Sequence, residues 1–200
     1  MRPLAKHRAK LDLEGLMNLA GRSLARRAQS LNELRSRLKQ RAARQEDVAE
    51  AISRLKEAGF LNDRKFADAF ANWRRENQGL GKARVVRDLM ARRVAPALAK
   101  QAVDSAYSNA DETALIENFL ERKYRGKDLA ALLAEENRLA SAYRKLRTAG
   151  FSAGNSIRVL KRYAAPAERL EEMEERLEEQ AERQEEMAER LEERNETGES

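Results

Sequence analysis

Gly59-Phe60-Leu61-Asn62-Asp63-Arg64-Lys65-Phe66-Ala67-Asp68-Ala69-Phe70, running on through Trp73 to Leu89, decides how this chain is read. Gly59 is a helix stop, because glycine alone takes the left-handed C′ position without a steric cost, and Phe60 is expected to fold back onto the finished helix. Asn62 or Asp63 starts the next helix, with a side-chain oxygen placed to accept an unpaired first-turn N–H. Phe66, Phe70 and Trp73 recur at spacings of four and three, which puts the three rings on one helical face. The chain breaks after Asn77-Gln78-Gly79. Gly81 then opens a second helix, with Val85 and Leu89 inside and Arg84 and Arg87 outside. The expectation is a set of short, sharply punctuated helices that sort apolar anchors and arginines onto different faces.

The same grammar extends in both directions. Upstream, a basic arm over 1–13 precedes a helical pattern from Gly15, with Leu16, Leu19, Ala20 and Leu24 inward. Ser30-Leu31-Asn32-Glu33 is a capping box, and its helix buries Leu34 and Leu38. A third helix carries Val48, Ile52 and Leu55 to the Gly59 stop. Downstream, helices over roughly 63–76 and 81–93 are followed by Pro96, tolerated in a first turn, and by a helix burying Ala99, Val103, Ala106 and Tyr107. Sliding the first unit by 51 residues lays Ser30 on Gly81, Leu34 on Val85, Leu38 on Leu89 and Ile52 on Val103. That register marks an internal repeat. A third unit starts at Asp111 with Leu115, Phe119 and Leu120 inward, carries an insert over 127–137, and continues through Leu139, Tyr143 and Leu146 to Ala149-Gly150-Phe151. Ile157 and Leu160 lie on its last helix. The predicted architecture is all-α: three-helix repeats at 14–59, 60–108 and 109–164 in an elongated, curved array, followed by a long acidic helix over 165–200. Units this small bury little core alone and depend on their neighbours.

Composition agrees with that class. Charged residues make up 37% of the 200-residue chain and aromatics 5%, too polar for one large core but suited to several small helical units. There is no cysteine, which rules out disulfides and thiolate metal sites and fits a reducing, cytoplasmic setting. The basic start is not followed by an apolar h-region or a membrane span.

The net charge of +6 hides a division. Residues 166–200 hold 15 Glu and 5 Arg, a net of −10, so the remaining 35 Lys/Arg against 19 Asp/Glu give a body of +16. Such a body is drawn to polyanions, nucleic acid first. From Glu168 the tail reads as heptads. Leu170, Met173, Leu177, Met187 and Leu191 fall on the seam, and Gln180 and Gln184 interrupt it. Glu172–Arg176, Glu179–Arg183 and Glu186–Arg190 are i,i+4 pairs, together worth about 1 kcal/mol. A solvated single helix and a two-stranded coiled coil both fit, as do a solubility tail and a tethered polyanion that competes with DNA for the basic body.

No catalytic constellation is legible. The one histidine is His7 in the basic arm, so no His-paired metal site can form, and no His-based triad is read there. Gly79-Leu80-Gly81 lacks the lysine and hydroxyl residue of a phosphate loop. The expectation is a protein that is not an enzyme and takes no cofactor.

Three stretches carry a family resemblance. Leu24-Ala25-Arg26-Arg27…Ser30…Glu33-Leu34…Leu38 resembles the opening of the RecX family of recombinase regulators. Gly59-Phe60-Leu61-Asn62-Asp63…Phe66-Ala67…Phe70…Gly79-Leu80-Gly81…Arg84-Val85…Leu89 is similar to that family's central signature. Lys145-Leu146…Gly150-Phe151-Ser152…Ile157…Leu160 looks like its third repeat. The resemblance covers about residues 15–163, and it departs from the usual pattern at Leu80 and Lys82, at Ala42-Ala43 and in the acidic tail. It implies a regulator that binds RecA and its filament on single-stranded DNA, lies in the filament groove, and depresses ATP hydrolysis, strand exchange and co-protease function in DNA repair and the SOS response.

A groove-binding array needs cations along it. Arg35 and Lys39, Arg84 and Arg87, and Arg144 and Arg147 flank the apolar positions of each unit's middle helix. Arg22, Arg26, Arg74 and Arg75 add charge in the first two units, and Arg122, Lys123, Arg158 and Lys161 in the third. Arginine suits this task because its planar fork meets phosphate or carboxylate with two bonds. The alternatives are a RecA-independent DNA- or RNA-binding helical protein and a coiled-coil adaptor. No membrane partner is expected, and the chain is read as a monomer unless the tail pairs.

Overall fold

The computed structural model describes residues 10–163 and three single tail positions, Arg176, Glu179 and Arg183. The basic arm before residue 10 and the heptad seam therefore lie outside the described residues. One tail pair is seen: Arg183 and Glu179 are helical and 3.6 Å apart. Among the described residues the regular structure is all α-helical: α1 (Leu13–Arg26), α2 (Leu31–Lys39), α3 (Gln45–Glu57), α4 (Asp63–Trp73), α5 (Lys82–Ala91), α6 (Pro96–Ala106), α7 (Glu112–Lys123), α8 (Leu129–Leu133), α9 (Glu136–Ala149) and α10 (Ala153–Leu160). A π-helical segment, Arg74–Gln78, extends α4. The residues form two compact units. One runs up to Asp111 and includes Ala149–Phe151, and the other comprises Glu112–Thr148 and residues from Ser152 on.

In the first unit, Leu16, Ala20, Leu34, Leu38, Val48, Ile52 and Leu55 form a buried cluster from α1, α2 and α3. Ser30 caps α2 as the sequence predicts: its Oγ accepts from Glu33 N at 3.1 Å, and Glu33 Oε2 accepts from Ser30 N at 3.2 Å. Helix α2 lacks a glycine at its C-terminus; Arg41 N and Ala42 N close it on Leu38 O at 2.9 Å, and Leu11 pairs with the chain just beyond. Leu11 N donates to Arg41 O and Ala43 N donates to Leu11 O, both at 2.8 Å, making a single parallel bridge with Ala42. The arm's last residues are thus tied down, where the sequence predicts a free arm to residue 13. Helix α1 begins at Leu13 because Asp12 caps it, accepting from Gly15 N at 2.9 Å.

The Gly59 stop has the expected backbone, with φ +76°, Phe60 N donating to Leu55 O and Gly59 N to Lys56 O at 2.9 Å. The apolar contact differs. Phe60 is 69% exposed, and Leu61 is buried instead. The two backbone bonds close the helix whatever residue follows glycine, so the turn leaves the choice of anchor to the next position.

Helix α4 departs further from expectation. Its buried residues are Ala67 and Ala71, and it packs on α6, where Ala99, Ala102, Val103 and Ala106 are buried. Small residues on both sides let the helices approach closely. Phe66 and Phe70 are only half-buried and touch each other, and Trp73 is 51% exposed. Rings and arginines do not separate onto different faces: Arg74 and Arg92 lie over the Phe70 ring at 4.9 and 5.0 Å. A guanidinium gains from an aromatic face, and the ring is shielded from water without entering the core.

The N-termini of α2 and α5 are used alike. Asp63 Oδ1 accepts from Leu31 N at 2.7 Å, Ser30 Oγ donates to Arg92 O, and Asn32 Nδ2 donates to Arg93 O at 3.1 Å. At α5, Gly81 N donates to Ala149 O at 2.9 Å and Ala83 N to Gly150 O at 3.2 Å. At α2 the cap side chains reach the carbonyls that follow α5 while a carboxylate takes the backbone N–H, and at α5 backbone N–H groups meet the carbonyls at the end of α9 directly, so each helix start is joined to a helix end of opposite partial charge. Ser30 and Gly81 are the positions the 51-residue slide superposes. A Cβ on Gly81 would collide with the Gly150 backbone, and one on Gly150 with Arg84, so two glycines face each other at this crossing.

In the second unit α7 buries Ile116 and Leu120, and α10 buries Ile157, Val159 and Leu160. The inward position near the start of α7 is Ile116; the sequence pattern predicts Leu115, one residue out of phase. Glu112 joins the two helices, accepting from Ser152 N at 3.0 Å and from the Ser152 hydroxyl and the Asn155 amide. The insert holds one short helix, α8, capped by Asp128.

Candidate nucleic-acid interface

The predicted cations separate into exposed and internally bound groups. In the first unit Arg22 and Arg26 are exposed on α1, as are Arg35 and Lys39 on α2 and Arg87 on α5. Arg35 and Lys39 stand together, lining a groove of about 580 Å³ whose other wall is α3, with Val48, Ala49 and Ile52 as its floor and Lys56 at its rim.

Arg74, Arg75 and Arg84 are spent on the fold. Arg74 Nη2 lies 2.9 Å from Asp88 Oδ2 in an ionic contact without hydrogen-bond alignment, and Arg74 also donates to Gln78 Oε1. Arg84 Nε donates to the other oxygen of Asp88 at 3.0 Å. One carboxylate therefore clips the π segment to α5. Arg75 donates to Ala106 O and pairs with Glu76 at 2.7 Å. Beside it, Tyr107 donates its hydroxyl to Leu80 O at 2.6 Å, and burial pushes this phenol up to about 12, against the opposing pull of Arg75. Arg93, which the sequence pattern does not single out, takes a left-handed φ of +61° and donates to Ser36 Oγ at 2.7 Å.

In the second unit Arg122 and Lys123 are exposed at the end of α7, Arg144 is exposed and Arg147 half-buried on α9, and Arg158 and Lys161 are exposed at α10. Arg122 and Lys123 lead into a run, Arg122-Lys123-Tyr124-Arg125-Gly126-Lys127, of which only the first two stand among the predicted cations. An aromatic interleaved with cations was the signal there to be read. Among the described residues no His, Cys, Asp and Glu group is placed to hold a metal, and no helix is long and apolar enough to cross a membrane.

Comparison with known proteins bears on what these surfaces serve. Residues 62–103 match the family description "RecX, second three-helix domain". The regulatory protein RecX of Trichlorobacter lovleyi is 30% identical over 118 residues, covering 59% of this chain and 71% of that protein. That of Pseudomonas entomophila is 32% identical over 127 residues, covering 62% and 72%. This chain belongs to the RecX family. The fold agrees: the crystal structure of RecX from Lactobacillus salivarius superposes with a TM-score of 0.59 at 16% identity, covering 76% of this chain and 96% of that one. A second RecX regulatory protein structure gives 0.53, also at 16% identity, over 74% and 72%. At such identity the two structures speak for the fold alone. The RecX relatives are named regulatory proteins, and the resemblance carried by the three sequence stretches is thereby upheld at the level of family, all-α fold and regulator.

Proposed function

We propose that this RecX-family chain binds RecA and its filament on single-stranded DNA and depresses ATP hydrolysis, strand exchange and co-protease activity. It works without catalysis, in the cytoplasm, through three units bounded at 14–59, 60–108 and 109–164 that lie along the filament groove. Membership of a family of regulatory proteins carries this reading. Support comes from the exposed cations Arg22, Arg26, Arg35, Lys39, Arg87, Arg122, Lys123, Arg144, Arg158 and Lys161, which stand outside the Asp88 clip that holds Arg74 and Arg84. Exposed groups of this kind can meet phosphate or acidic side chains of a partner. The test is co-sedimentation with RecA assembled on single-stranded DNA, paired with a strand-exchange assay. The protein should pellet with the filament and slow exchange. Tight binding to naked DNA with no preference for the filament would replace this reading with that of a general nucleic-acid binder, whose affinity falls steeply with salt.

A further inference from the structure

The end of α7 carries a cleft of about 360 Å³, lined by Glu121, Arg122, Tyr124, Arg125, Lys127 and Leu129 beside Gly126. Local geometry builds it. Lys127 N donates to Tyr124 O at 3.0 Å, closing a tight turn whose third residue, Gly126, has φ +77°. Only glycine takes that backbone angle at no cost, so the turn sets Arg125 and Lys127 on either side of a residue without a side chain. Nothing would stand within 4 Å of a Cβ at Gly126, so the space over the turn is open.

The aromatic wall is fixed from behind. Lys145, from α9, donates to Tyr124 Oη at 3.1 Å and sits 5.1 Å from the ring centroid. Tyr124 is half-buried, whereas Lys123, Arg125 and Lys127 are exposed, and among the described residues none of these three cations has an ion-pair partner. Asp128, the nearest carboxylate in sequence, is occupied as the cap of α8, accepting from Ala130 N at 2.9 Å. Glu121 alone brings negative charge to the lining. The C-terminal partial charge of α7, about half an elementary charge, is outweighed by the cations around it.

We propose that this cleft is a binding site for single-stranded nucleic acid, with a base stacked on Tyr124 and the flanking phosphates held by Arg125 and Lys127. An oriented ring flanked by the exposed Arg125 and Lys127 is what a single strand requires: a π-face for a base and a basic track for the backbone. A duplex keeps its bases inside the stack and offers the ring nothing. An acidic peptide would meet the cations but leave the tyrosine unused. The proposal rests on the regulator reading only for its purpose, which is to give the protein a hold on single strands at or beside the filament.

The test uses full-length protein and a fluorescein-labelled oligothymidylate, followed by anisotropy at several salt concentrations. The double variant Arg125→Ala/Lys127→Ala should bind about ten-fold more weakly, with the salt slope reduced by about 1.4, from two lost phosphates at roughly 0.7 each. Tyr124→Ala should lose about ten-fold, Tyr124→Phe should keep most of the affinity, and 5-iodouracil in the oligonucleotide should cross-link to Tyr124. Circular dichroism confirms that each variant is folded, and the charge changes fall at exposed positions. Wild-type affinity in both the double variant and Tyr124→Ala overturns the site. So does a Tyr124→Phe as weak as Tyr124→Ala, which would make the residue a prop for Lys145. RecA ATPase is measured on the same proteins. Variants that lose the oligonucleotide but still inhibit RecA uphold the site, whereas wild-type protein that binds through the cleft and leaves RecA untouched upholds the site and removes the regulator reading.

Discussion

Tyr107 shows how a single side chain can set a pH limit. Its hydroxyl is bonded to Leu80 O, and its pKa stands at about 12 because burial penalises the phenolate. An unfolded tyrosine ionises near pH ~10. The folded state therefore holds this proton where the unfolded chain has lost it. The contribution is fully present below pH ~10 and is lost as pH rises toward about 12. Urea unfolding of wild type and Tyr107→Phe should show a stability gap of about 1 kcal/mol near neutrality that changes between pH ~10 and ~12 and is constant below. A gap that does not change across that range contradicts the assignment. The crossing of Gly81 and Gly150 is harsher. Gly81→Ala must push two backbones apart and should cost about 1–3 kcal/mol or more, read from the urea midpoint, while Gly21→Ala, with nothing near its Cβ, should be neutral or stabilising. The sequence shows Gly150 as a helix stop, and the backbone approach that excludes a methyl group at both positions is a long-range fact that local pattern does not carry.

At the scale of elements, caps and periodicity are readable in the sequence and side-chain direction is less so. Ser30 is legible as a cap because the box needs only four neighbouring residues. Its bond to Arg92 O is not, because the partner lies 62 residues away. Ser30→Ala removes both, and should cost about 1–2 kcal/mol by urea unfolding. Asp63→Ala should cost about 1–3 kcal/mol, since it strands Leu31 N at the head of α2. Spacing alone places the inward positions of α2, α3, α5, α6, α9 and α10. Helix α4 defeats that rule because its rings are the most hydrophobic residues in the window, while packing on α6 selects its alanines. The π segment has no compositional signature, so the sequence predicts one unbroken helix on to Glu76. Arg84 and Asp88 pair within α5, and Arg74, at the head of the π segment, joins them from another element. For the same reason charge pattern marks the cations without separating those bound internally from those presented outward.

At the scale of the whole molecule, charge separation is the sequence's clearest instruction. The −10 segment over 166–200 follows a body of +16. If it acts as a tethered polyanion, removing it should tighten single-stranded DNA binding, most visibly at low salt. Anisotropy of full-length and shortened chains, both checked for folding, measures this, and equal affinities would leave the segment a solubility device. Family and fold class are legible because scattered glycines, caps and anchors agree in order over three stretches. Which cations act together is not, since that depends on how separate helices meet. The central claim is regulation of a recombinase, and the most direct measurement is ATP hydrolysis by RecA on single-stranded DNA, with and without this protein. Hydrolysis should fall at substoichiometric amounts. An unchanged rate, with the protein shown by co-sedimentation to be bound to the filament, would contradict the account.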